Sequence, residues 1–175
     1  TPLIAQEDLN VVRDLQIDHL SWYQLTIEPN TAFYSRPPNL PKEEILDITE
    51  TIGEEMIDSM GLEHYEVSAF AKPGEEAKHN LNYWEFGDYL GIGAGSHGKI
   101  TTARGFIRTQ RTKQPSNYLA RTDCHATEHP LSDGHLGAEC LMNGLRLKSG
   151  ISYAYFQERT GLDPVEFRAA HLIEA

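Results

Sequence analysis

The chain has 175 residues, 39% of them hydrophobic, and carries 15 Lys and Arg against 26 Asp and Glu for a formal net charge of −11. At roughly 150 residues per domain this is one domain, or one with part of a second, long enough to bury a core. The acidic balance excludes general electrostatic attraction to nucleic acid or anionic membrane, and no apolar run approaches the ~18 residues of a membrane span.

Residues 4–15 read as the end of a helix, with Leu9, Val12 and Leu15 at helical spacing. His19–Ile27 is rich in aromatic and β-branched residues and nearly continuous rather than alternating. That pattern suits a strand buried on both faces of a parallel sheet. Pro29, Pro37, Pro38 and Pro41 then force a loop. A long amphipathic helix follows from Pro41, with Glu43 and Glu44 in its first turn and Ile45, Ile48, Ile52, Met56 and Met60 as its apolar stripe. Gly61 is placed to end it.

Tyr65–Phe70 reads as a second strand, broken by Pro73-Gly74, and residues 76–86 as a short helix or turn holding His79, Asn80, Tyr83 and Trp84. Tyr89–Gly98 is a glycine-dense strand and loop, and Ile100–Thr112 a hairpin around Ala103-Arg104-Gly105. After Pro115 the texture changes to short helices at 116–121, 136–147, 152–160 and 163–173, with a domain boundary expected between residues 115 and 130. The fold class is α/β or α+β. The first helix has no strand before it, and the first strand lacks parallel neighbours, so the chain reads as the back end of a larger α/β fold.

Charge is uneven. Residues 1–90 hold 18 acids and 5 bases, residues 91–175 hold 8 acids and 10 bases, and no acid lies between Asp88 and Asp123. Lys99, Arg104, Arg108, Arg111, Lys113 and Arg121 fall in that gap. Two readings stand: a solvated hairpin with surplus cations, or an anion site for carboxylates or phosphates.

Three clusters have chemical potential. At helical spacing His79 and Tyr83 share one face, and Asn80 and Trp84 the neighbouring one. Such a group can stack on a flat conjugated ligand and offer it an imidazole, or it can be packed aromatics with a hydrogen-bonded histidine. Gly91-Ile-Gly-Ala-Gly-Ser-His97-Gly98 misses both the dinucleotide and the P-loop spacing. Its glycines suit close approach of backbone to a ligand or to another segment. Gln24, Thr26 and Glu28 share a face at the carboxyl end of the first strand, where α/β folds place ligands. Cys124-His125 with His129 or His135 is a weak zinc pattern. Two cysteines, Cys124 and Cys140, are too few for a disulfide framework, and no signal peptide opens the chain, so a reducing cytoplasm is the expected compartment.

His19-Leu-Ser-Trp-Tyr-Gln-Leu-Thr-Ile-Glu-Pro-Asn-Thr31, Tyr65-Glu-Val-Ser-Ala-Phe-Ala-Lys-Pro-Gly74, His79-Asn-Leu-Asn-Tyr-Trp84 and Tyr89-Leu-Gly-Ile-Gly-Ala-Gly-Ser-His-Gly98 stand in one colinear order. Together they resemble the HemW-type radical S-adenosylmethionine proteins, relatives of the oxygen-independent coproporphyrinogen III oxidase HemN. The resemblance implies a cytoplasmic haem chaperone that binds haem and hands it to an acceptor protein. It implies a [4Fe-4S] cluster and S-adenosylmethionine in the whole protein. The family's C-x3-C-x2-C cluster motif is not in this chain, so the resemblance makes it a C-terminal fragment that carries no radical chemistry alone. Residues 18–27 become the last strand of a partial TIM-like barrel, residues 1–115 the end of that barrel with its extension, and residues 116–175 the start of a HemN-type helical domain.

Carried over by position, Tyr23, Thr26 and His97 lie on the S-adenosylmethionine side. His79, Asn80, Tyr83 and Trp84 become the haem-contacting element, with His79 the candidate iron ligand and His97 its competitor, and Arg108 and Arg111 the candidate partners of porphyrin propionates. Oxidative decarboxylation of coproporphyrinogen III, and a non-catalytic docking module, are the alternatives. The first strand, without its barrel neighbours, is expected to offer an edge for self-association.

Overall fold

The computed structural model describes residues 1–120 and 127–171. They form two compact units, Thr1–Ala77 and Lys78–Ala175.

In the first unit α1 (Pro2–Leu15) leads to β1 (His19–Ser21), a one-turn α2 (Ala32–Ser35), α3 (Glu43–Asp58), β2 (Glu63–Glu66) and β3 (Ala69–Ala71). The three strands make one antiparallel sheet in the order β1-β3-β2, with Leu20 opposite Phe70. Here the structure departs from the sequence expectation. The anticipated strand 18–27 is regular for three residues and pairs antiparallel with β3, followed by one further backbone bond from Trp22 to the Ser68 carbonyl, 2.9 Å. Its neighbour is a strand from the same unit, which the chain reaches only after α2, α3 and β2, and among the described residues no strand pairs with it in parallel. Tyr23, Gln24, Leu25 and Thr26 are exposed in consequence. The second expected strand is split in two by a turn at Val67-Ser68.

Leu9, Ile57, Leu62 and Phe70 form the core of this unit, with Ile17, Leu20, Trp22, Met56 and Met60 packed around it. The buried face of α3 runs through Gly53 and Ile57, while Ile48 is exposed. Gly53 makes room for the Trp22 indole: a Cβ there would lie 1.8 Å from Trp22 Cη2. Gly61 ends the helical segment as expected, at φ +75° with its N–H on the Asp58 carbonyl.

The second unit holds α4 (Lys78–Trp84), β4 (His97–Thr102), β5 (Gly105–Gln110), α5 (Pro115–Ala120), β6 (Thr127–Pro130), α6 (Asp133–Gly144), α7 (Tyr153–Thr160) and α8 (Pro164–His171). β4 and β5 form the predicted hairpin, turning at Gly105 with φ +115°. Strand β6 was not foreseen; it pairs antiparallel with β5 and completes a three-stranded sheet. Tyr89–Ser96 is irregular apart from a bridge between Tyr89 and Lys99. Phe86, Leu136, Cys140, Phe156 and Phe167 are the core. Helix α7 carries local caps at both ends, Ser152 accepting from the Tyr155 N–H and Gly161 in the left-handed region.

Candidate functional site

Helix α4 divides its four singled-out residues as the spacing requires. His79 is exposed and Tyr83 sits one turn on, 37% exposed. The Tyr83 ring meets Tyr89 edge-on at 4.7 Å between centroids. The Tyr89 hydroxyl accepts from Arg108 Nη1 at 2.5 Å, and Arg108 also donates through Nε (2.9 Å) and Nη2 to Glu139 Oε2. Burial lowers the Arg108 pKa, but the bond and charge of Glu139 outweigh it and the net shift is upward. A chain of contacts, Glu139 to Arg108 to Tyr89, thus fixes the surface behind Tyr83. On the other face Asn80 is half-buried, and Trp84 lies under the Arg146 guanidinium, 4.3 Å from its ring centre.

The glycine-dense segment does two jobs. A Cβ at Gly91 would lie 2.4 Å from the His97 carbonyl oxygen, and one at Gly98 would lie 2.5 Å from Thr109 Oγ1, so both glycines serve close packing within the unit. Gly93 and Gly95, at φ +98° and +73°, form the turn between them. Leu90 and Ile92 are exposed beside them. His97 is exposed at the start of β4, opposite Gln110. Arg111 folds against this segment, its Nε on the Gly91 carbonyl at 2.9 Å and its backbone N–H on Ser96. Its Nη1 is buried without a hydrogen-bond partner.

The stretch without acids in sequence is not without acids in space. Lys99 is 1% exposed; its Nζ reaches Asp88 Oδ1 at 3.1 Å and lies 4.1 Å from the centre of the Phe86 ring. Burial pulls the Lys99 pKa below its usual value, more than Asp88 raises it. Burial pushes Asp88 upward, yet the N–H and hydroxyl of Thr101 together with Lys99 hold its carboxyl below the ordinary value. Two of the six cations are therefore neutralised by Asp88 and Glu139. Arg104 and Lys113 are exposed, and Arg121 lies outside the described residues.

Tyr23, 70% exposed, and Thr26 lie on the irregular segment after β1. Among the described residues no three His, Cys, Asp or Glu side chains gather as a metal site. Cys124 and His125 lie outside the described residues, His129 is exposed on β6, and His135 Nδ1 is hydrogen-bonded to Ser132 Oγ at 2.9 Å. Cys140 is buried in the core and burial pushes its thiol up to about 11. Sequence reasoning missed Glu139, Tyr155 and Arg159, whose partners lie 31 to 73 residues away.

Comparison with known proteins gives these residues a context. Residues 131–175 match the HemN C-terminal domain family. The chain is 45% identical over 166 residues to the "Heme chaperone HemW" of Escherichia coli K12, covering 90% of this chain and 42% of that protein. It is 46% identical over 160 residues to that of Haemophilus influenzae (90% and 41%) and 32% identical over 165 residues to that of Bacillus subtilis (89% and 42%). It shares the fold of a solved structure described as "Coproporphyrinogen III oxidase (HemN) from Escherichia coli is a Radical SAM enzyme", with a TM-score of 0.73 at 15% identity over 97% of this chain and 42% of that one. The chain is thus similar to proteins described as haem chaperones of the HemW type and spans about two-fifths of their length.

Proposed function

We propose, from that kinship, that this chain is the haem-contacting part of a radical S-adenosylmethionine haem chaperone, and that α4 is the element that meets the macrocycle. One observation carries the reading: an exposed imidazole, His79, and a half-exposed ring, Tyr83, stand one turn apart on the same face, with Tyr83 backed by Tyr89 and Arg108. Neutral imidazole is a good ligand for haem iron and the Tyr83 ring offers a face to a flat cargo. Asn80 and Trp84 support the helix from behind. Haem is the cargo, a reading supported by the similarity to haem chaperones, and an acceptor protein is its destination.

Arg108 and Arg111 retain their proposed role toward propionates. Arg108 already forks onto Glu139, so a propionate there exchanges one carboxylate for another; Arg111 holds a buried donor with no partner. Tyr23, Thr26 and His97 stay assigned to the S-adenosylmethionine side of the whole protein, a role supported for Tyr23 and Thr26 by side chains their own unit leaves exposed. An iron–sulfur cluster does not fit the described residues: Cys140 is buried and protonated, and such clusters need several thiolates. The shared fold with a coproporphyrinogen III oxidase is no ground for assigning decarboxylation to this chain.

Haem titration followed by the Soret band tests the proposal. His79→Ala is expected to lose or shift the band while His97→Ala leaves it unchanged. The reverse pattern makes His97 the ligand, and no effect from either removes α4 from haem binding.

A further inference from the structure

The C-terminus of α4 is finished by side chains from a helix seventy residues away. A helix leaves its last carbonyls without intrahelical donors. Here Glu85 N–H bonds the Leu81 carbonyl, Phe86 N–H that of Tyr83 (3.1 Å) and Gly87 N–H that of Asn82 (2.6 Å), which is the Schellman pattern. The residue this motif places in the left-handed region is usually glycine. It is Phe86, at φ +53° and fully buried. A bulky residue holds that conformation only when its surroundings over-determine it. They do so from three sides. Tyr155 Oη donates to the Glu85 carbonyl at 2.7 Å, Arg159 Nη2 donates to the Phe86 carbonyl at 2.6 Å, and the Lys99 ammonium lies over the Phe86 ring. Tyr155 and Arg159 are one turn apart on α7, so one helix face reads two consecutive carbonyls.

We propose that Tyr155 and Arg159 are positioning residues for the haem-contacting helix: by capping Glu85 and Phe86 they fix where α4 ends and so how it turns His79 and Tyr83 outward. This rests on α4 meeting haem, as proposed above. It gives the helices that follow β6 a task that their own packing does not require, because Tyr155 and Arg159 spend their donors on backbone outside the helical segment. In a seven-residue helix one end sets the azimuth of every side chain; a cap that slips by one residue turns His79 by roughly 100°.

The test uses the full chain, with amide exchange at Glu85, Phe86 and Gly87 measured beside haem titration. Tyr155→Phe removes one donor, and about fivefold faster exchange at these amides is expected. Arg159→Gln removes the charged donor and is expected to give roughly tenfold or more, together with a weakened and shifted Soret band. Arg159→Lys, which keeps a charged donor, is expected to recover part of the band. Leu147→Ala, a buried truncation outside the cluster that holds Phe86, serves as the control for general loosening. It should lower the unfolding midpoint without selective exchange at residues 85–87 and without a shift in the band. If Arg159→Gln and Leu147→Ala act alike on both readouts, Tyr155 and Arg159 are ordinary packing residues and the proposal falls. If selective exchange appears while neither it nor His79→Ala alters haem binding, the capping is right and the haem reading of α4 is wrong, which overturns the functional half of the proposal.

Discussion

The Asp88–Lys99 pair gives the most direct check on the physical account of the second unit. Lys99 is 1% exposed at the side chain and Asp88 42%, with 3.1 Å between them. Removing one partner of a buried pair strands the other charge, at a cost of about 3–5 kcal/mol, whereas replacing the buried charge with an apolar chain of similar size is often neutral. Because Asp88 faces solvent, its share is screened, and we expect Asp88→Asn to cost about 2 kcal/mol. Lys99→Met also forfeits the contact with the Phe86 and Phe106 rings but supplies a thioether in its place, and is expected within about 1 kcal/mol of the parent. Urea unfolding in a Trp22→Phe background, so that Trp84 alone reports on the second unit, measures both. The pH dependence carries signs of its own. Asp88 is depressed below 3.8, so its contribution is complete above that value and is lost as pH falls through the folded-state pKa. Lys99 is depressed below 10.5, so between its folded pKa and 10.5 the unfolded chain binds more protons and stability rises with pH. Lys99→Met should abolish that alkaline rise. If Lys99→Met loses as much as Asp88→Asn, the buried charge is not what makes Asp88 necessary.

Further outcomes follow from single contacts. In a Cys124→Ser background Cys140 should resist thiol reagents at neutral pH in the native protein and react at once in denaturant, since burial holds it protonated up to about 11; rapid native labelling contradicts its placement. Gly53→Ala should destabilise by about 2 kcal/mol rather than gain the usual helical increment, through collision with Trp22, and Trp22→Leu should relieve it on denaturant curves. A double-mutant cycle of Arg108→Gln and Glu139→Gln should return a coupling of about 1–2 kcal/mol, and additive losses deny the pair its role behind Tyr83. The edge of β1, the first strand of its sheet, should recruit a second copy; sedimentation that stays monomeric at high concentration removes that reading.

Local chemistry was legible wherever the partners are neighbours in sequence. Gly61 ends its helix and Gly105 turns the hairpin, because each acts within four residues of itself. The division of α4 into a His79–Tyr83 face and an Asn80–Trp84 face needed only the helical period. The tertiary structure decided the rest. The apolar stripe of α3 hid its true inner face because that face contains a glycine, and only the Trp22 indole shows why. The strand at 18–27 looked buried on both faces, but hydrophobicity records a preference for burial and not which neighbour supplies it. Most telling is the acid-free stretch from Lys99 to Arg121. Asp88 lies just outside the window and Glu139 is 31 residues from Arg108, yet both sit on their cations. Coulomb energy depends on distance in space, and a chain that folds back on itself brings together charges that no window along it contains.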